Sequence, residues 1–211
     1  MFPNYSFAYG DLAFVGCSYL YIIAFDESHN NYLMSVLAYQ TLEDRDNPDE
    51  IEDNGPYKCR RPNAWLGFGY YFWDSNIQWA HDWGQQSYNN EYIICEASIE
   101  LTDSCYDLVG CIAHQLEMIE IIGEFKKSGY LSDKGEIYVG QVIELMKNRG
   151  IFDYSAIRAN DNKKAYDFFF TSNNVENTTL LKRTQICLID KTNLISRTFR
   201  VIHPKHYKLE N

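Results

Sequence analysis

Residues Trp65 to Trp83 read WLGFGYYFWDSNIQWAHDW, the richest run of glycine and aromatic residues in the chain. Two glycines, Gly67 and Gly69, lead into the rings of Tyr70, Tyr71, Phe72 and Trp73, and Asp74 follows. Ile77, Ala80 and Trp83 then recur at helical spacing. Glycine permits positive φ and close backbone approach, and aromatic rings supply stacking faces. The stretch predicts a tight turn, a short strand that presents a ring at its edge, and a helix behind it. A glycine-bounded strand buried in the core would use the same residue types, because aromatic clusters are most often core.

The rest of the chain sets bounds on this reading. A chain of 211 residues suffices for one domain with a sizeable core. Hydrophobic residues make up 45% and aromatic residues 16%, a globular composition and not a disordered one. The formal net charge of -10 disfavours general electrostatic binding to nucleic acid or anionic membranes. Six cysteines contain no C-x-x-C pair and no clustered Cys/His spacing, so no metal is expected. Cys95 and Cys187 fall in apolar, strand-like runs, where buried reduced thiols and a reducing compartment are expected. No basic leader segment or membrane-length apolar run is visible, which implies a cytoplasmic protein, or one delivered into a target cell by a specialised route.

Working outward, Phe7 to Val15 predicts a first strand ending at Gly16-Cys17-Ser18, and Asn31 to Tyr39 a helix. Glu43 to Gly55 carry seven acids, one arginine and a proline, and the segment 43–56 is expected to be an acidic loop insert. Glu91 to Leu101 predicts a strand. A helix is expected from about Tyr106 to Lys127, capped by Asp103, with Leu108, Ile112, Leu116, Ile119 and Ile122 as its apolar stripe. A second is expected from about Glu136 to Asn148. Phe152 to Arg158, Tyr166 to Thr171, Thr184 to Asp190 and Thr192 to Ile202 predict strands, with a polar loop at Asn173 to Thr179. The tail, His203 to Asn211, is polar and expected to fray.

The run Gly67-Phe68-Gly69-Tyr70-Tyr71-Phe72-Trp73 resembles the second signature of the poly(ADP-ribose) polymerase-like ADP-ribosyltransferases, and Trp65, Leu66 and Trp73 resemble a bacterial toxin-like group within them. The resemblance implies an α+β domain over residues 1–211, with two packed, mostly antiparallel sheets and flanking helices. It also implies a cleft for NAD as co-substrate. Tyr71 would stack on the nicotinamide, with Gly69 and Tyr70 beside it. Gly16 and Cys17 fit the first signature, which holds a ribose, but Val15 stands where that signature has histidine. Gln185 opens a third signature at the position of a catalytic glutamate, and could accept a hydrogen bond from a ribose hydroxyl. Glu176, in a nearby loop, is a candidate for the missing carboxylate, and Arg61, with Lys58 and Arg60, for neutralising the diphosphate. As bland alternatives, Glu176 is an ordinary loop acid, and the three cations offset the acidic insert.

The implied activity is mono-ADP-ribosyl transfer by a bacterial toxin or effector. Its acceptor would be a protein or nucleic acid, and its partners an antitoxin or a host target. A degenerate member that binds NAD or ADP-ribose without turnover, or an interaction module built on the same fold, is the alternative.

Overall fold

The computed structural model describes residues 22–26, 31–161, 166–170 and 177–208. In chain order the elements are β1 (Ile22–Asp26), β2 (Asn31–Glu43), α1 (Pro48–Asn54), β3 (Tyr70–Asp74), α2 (Ile77–Ser87), β4 (Tyr92–Leu101) and β5 (Cys105–Asp107). There follow α3 (Ile112–Lys127), α4 (Val139–Asn148), β6 (Ala156–Asn160), β7 (Tyr166–Phe169), β8 (Asn177–Leu180), β9 (Thr184–Leu188), β10 (Arg200–His203) and a 3-10 turn (Lys205–Lys208).

The architecture is mixed α/β with one mostly antiparallel sheet. Among the described residues its strands run in the order β10-β4-β2-β3-β9-β6-β5, with β1 paired to β2, and only β5 and β6 run parallel. Where two packed sheets are expected from the sequence, the described residues form one continuous sheet and a separate two-stranded ribbon, β7-β8.

Alternation along the strands sends successive side chains to opposite faces. Tyr71 and Trp73 on β3, Gln185 and Cys187 on β9, and Ile157 and Ala159 on β6 are cross-strand neighbours on one face. Helices α3 and α4 cover part of that face, burying Met118, Ile121, Phe125, Val142, Ile143 and Met146 against Ile157 and Cys187. Helix α2 covers a further part with Trp79 and Ala80, against Tyr39 and Trp73, while Trp65 and Tyr71 stay partly exposed. On the opposite face Phe72, Ile186, Leu188, Val36 and Ala38 form a second core. Ile51 of α1 joins Ile93, Cys95 and Val201 there.

Several expectations are corrected. Residues 31–43 are a strand and not a helix. β2 is an interior strand between β4 and β3, and its residues Val36, Ala38, Tyr39, Gln40 and Thr41 are buried across both faces. A strand covered on both sides loses the alternation that identifies it and reads as a continuous apolar run. The acidic insert contains a short helix that buries Ile51, and Glu52 accepts a hydrogen bond from the Val201 N–H at 2.5 Å. Helix α3 starts at Ile112, with Cys111 in place of Asp103 at its N-cap position and no side-chain cap bond, because Cys105–Asp107 pairs with β6. Its inward face is Met118, Ile121 and Phe125, whereas Ile112, Leu116 and Ile119 are 70%, 56% and 66% exposed. The strand expected at Phe152 begins at Ala156, and Asn177–Leu180, assigned in part to a polar loop, is β8. The last strand narrows to Arg200–His203, and the tail docks through residue 207 instead of fraying. The first predicted strand, with Val15, Gly16 and Cys17, lies outside the described residues, as does Glu176.

Candidate functional site

The two glycines of the central motif do different work. Gly67 takes φ of +86°, the left-handed region that turns the chain into β3. At Gly69 the backbone runs against β9, and a Cβ there would meet the Cys187 sulfur at 2.3 Å and the Leu188 carbonyl oxygen at 2.6 Å. The turn returns over the strand it feeds. The Tyr71 hydroxyl donates to the Gly67 carbonyl at 2.8 Å and accepts from the Leu66 N–H at 2.9 Å. Burial, and then Cys187, push the Tyr71 phenol above its ordinary value, so this hydroxyl stays protonated near neutrality. Leu66 is fully buried beneath α3 and α4.

Trp65 completes the arrangement. Its indole N–H donates to Gln185 Oε1 at 2.6 Å. An indole nitrogen can only donate, so the carbonyl end of the Gln185 amide must face it. The NH2 end is turned away from Trp65, and Gln185 as a whole is 8% exposed. The register sets Trp73 opposite Gln185 and Tyr71 opposite Cys187. Trp65, Tyr71, Trp73 and Gln185 thus gather around the β3-β9 pair. Burial pushes the Cys187 thiol up to about 12.

At the lower end of the same face, the Arg183 guanidinium lies 4.7 Å from the Trp73 ring centre and 5.5 Å from that of Trp79, within the range of a cation–π contact. Arg183 also pairs with Asp161 at 3.0 Å, both side chains being more than nine-tenths buried. On the opposite face, Arg158 bridges Asp74 at 2.7 Å and Asp107 at 3.2 Å. Asp74, Ser75, Asn76, Arg158, Leu181, Lys182 and Thr184 line a polar cavity of about 170 Å³. A second cavity, of about 340 Å³, lies beside Cys111 and His114 at the start of α3. Tyr71 and Gln185 line neither.

The structure brings together some of the sequence-derived candidates and separates others. Tyr71 and Gln185 share a face on adjacent strands, with Gly69 at the entrance to that strand pair. Tyr70 points to the other face, opposite Leu188, with Lys58 and Lys191 over its ring at 5.7 and 5.4 Å. Arg61 is exposed in the loop before the motif. Lys58 donates to the Ile189 carbonyl. The hydrogen bond of Trp65 to Gln185 was not foreseen, although both residues lie in the quoted motifs, because nothing in a linear sequence pairs positions 120 apart. The Arg158 bridge was missed for the same reason.

Among the described residues no group of three or more His, Cys, Asp or Glu side chains is arranged to hold a metal, and no helix is long and apolar enough to cross a membrane. The class this geometry defines is a mixed α/β protein with a largely antiparallel sheet and a tryptophan-tethered glutamine at its centre. In comparison with known proteins, no family model, curated protein or solved structure matches the chain.

Proposed function

We propose that the chain is an NAD-dependent mono-ADP-ribosyltransferase of the bacterial toxin or effector type, with an ADP-ribosyltransferase-like fold. The observation that carries this reading is the β3-β9 register, which sets Tyr71 and Gln185 on one face with Trp65 fixing the glutamine. In the reaction the bond from ribose C1′ to the nicotinamide nitrogen breaks, and nicotinamide leaves with the electron pair. An acceptor heteroatom bonds to C1′ and releases its proton to water. The transition state resembles the oxocarbenium ion of glycoside hydrolysis. Tyr71 would offer a ring face to nicotinamide, held in orientation by its two backbone hydrogen bonds. Gln185 would present its NH2 group to a ligand oxygen, which differs from the acceptor role expected from sequence alone. A neutral amide supplies no negative potential for the developing cation. Single transfer is the reading because, in the resembled family, a glutamate at this position supports chain elongation and variants without it are limited to single transfers or inactive.

A second reading, binding of NAD or ADP-ribose without turnover, is favoured by a specific observation: the Gln185 oxygen and the Tyr71 hydroxyl are both already engaged by protein groups. A protein acceptor or an antitoxin suits the net charge of -10 better than a nucleic acid does.

Incubation with NAD labelled in its adenylate half and a cell lysate separates the readings. The transferase labels a macromolecule, and Tyr71→Ala, verified as folded by circular dichroism, loses at least about tenfold of that labelling. Bound but intact NAD supports the second reading. Neither binding nor labelling contradicts both.

A further inference from the structure

Three side chains away from this site form a compact cluster. The His81 Nδ1 on α2 and the Tyr92 hydroxyl on β4 are 2.9 Å apart. His203, the last residue of β10, stacks on Tyr92 with ring centres 5.0 Å apart and planes at 23°. It meets His81 edge to face, 4.8 Å between centres at 88°. His203 also stands where the tail departs. β10 pairs with the outer edge of β4 through a register shift between Val201 and His203, and Lys205–Lys208 form the 3-10 turn beyond. The Tyr207 hydroxyl then donates to the Asp44 carboxylate at 3.0 Å, with Asp46 at 3.2 Å. The strand part of this segment is held by pairing with β4, by buried Val201 and its N–H bond to Glu52, and by the Arg200–Glu96 pair. Beyond it, a stack of titratable rings and a phenol–carboxylate bond hold the tail.

We propose that residues 200–208 are a proton-released clasp, in which neutral His203 packed between Tyr92 and His81 holds the tail closed and protonation of the histidine pair opens it. One imidazolium can be accommodated here, with the Tyr92 oxygen accepting from His81. A second would set two like charges 4.8 Å apart in a partly desolvated cluster. Groups on every neighbouring element enter the balance. Asp82 on α2 favours charge on His81. Asp44, after β2, favours charge on His203, whereas His206 in the 3-10 turn opposes it. Burial leads in holding both imidazoles below the ordinary histidine value of 6.5. Between that value and the lowered ones, the unfolded segment binds more protons than the docked one. The clasp is therefore intact above about pH 6.5 and weakens as the pH falls below it. Tyr207 does not respond in this range, because burial and Asp44 push its phenol up to about 12.

Amide hydrogen exchange, corrected for its intrinsic pH dependence, tests the clasp in the full chain. Protection of residues 200–208 falls about tenfold or more between about pH 7.5 and about pH 5, while β9 amides keep theirs. His203→Phe keeps a stacking ring that cannot ionise, and its tail protection becomes independent of pH. His81→Gln removes the like-charged neighbour, and its opening midpoint moves to lower pH. Equal protection of the wild-type tail at both pH values overturns the proposal. So does a pH-dependent loss retained in His203→Phe or, should that variant not fold, an unchanged midpoint in His81→Gln.

Discussion

At the scale of single residues, the hydrogen bond from Trp65 to Gln185 joins the turn before β3 to the strand beside it. Trp65→Phe keeps most of the ring and removes the donor, leaving a buried carbonyl oxygen unpaired. The expected cost is about 1–2 kcal/mol in a urea titration with an unchanged slope. Gln185→Leu orphans the indole instead. The double variant should be less destabilised than the sum of the two by about 1 kcal/mol, and strict additivity would show that the bond contributes nothing. Gly69→Ala is more severe. Its new methyl meets a sulfur and a backbone carbonyl of β9, and the carbonyl cannot rotate away. A loss of about 3 kcal/mol, or failure to fold, is expected by thermal denaturation. The need for Gly67 was legible in the sequence, because a turn is a local demand; the strand that Gly69 approaches lies far off in sequence and was not. The partner of Trp65 was not.

Among the elements, the strand–helix pair β3-α2 was readable because a glycine turn, an aromatic run and a helical spacing follow one another without interruption. The face of the helix was less so: Trp79, Ala80 and Gly84 point inward, whereas Ile77 and Trp83 are partly exposed. Helix α3 makes the point more sharply. Its sequence offers two apolar stripes, one through Ile112, Leu116 and Ile119 and one through Met118, Ile121 and Phe125, and only tertiary packing chooses between them. Leu116→Gln should change stability by no more than about 0.5 kcal/mol. Met118→Ala should cost about 2–4 kcal/mol. Chemical denaturation of the two variants checks the choice, and a reversed order would mean that α3 is rotated on the sheet. β2 was hidden for the opposite reason: it has no polar face, so its pattern carries no period.

Across the whole molecule, one sheet separates two cores, and the thiols report on it. Among the described residues, Cys95, Cys105 and Cys187 are buried, Cys59 and Cys111 are partly exposed, and these five are free. Burial pushes Cys105 and Cys187 up to about 12. In native protein at about pH 8 a thiol reagent should therefore modify Cys59 and Cys111 and reach the other three only on unfolding. Peptide mapping reads the result, and native labelling of Cys187 would contradict the packing of β9 beneath α3 and α4. The globular class was foreseeable from composition, whereas a mostly antiparallel arrangement was expected only because the family resemblance implies it. That the described strands form one continuous sheet was not, since strand order depends on contacts far apart in sequence.

The central claim is that the β3-β9 face receives NAD. Its most direct measurement is a titration of NAD into isotope-labelled protein, following the Trp65 indole N–H and the Gln185 side-chain amide by nuclear magnetic resonance. Both signals should move with the same saturation curve, while the Trp79 indole moves less. Saturable shifts confined to other regions, or no shift at millimolar NAD, would contradict the claim.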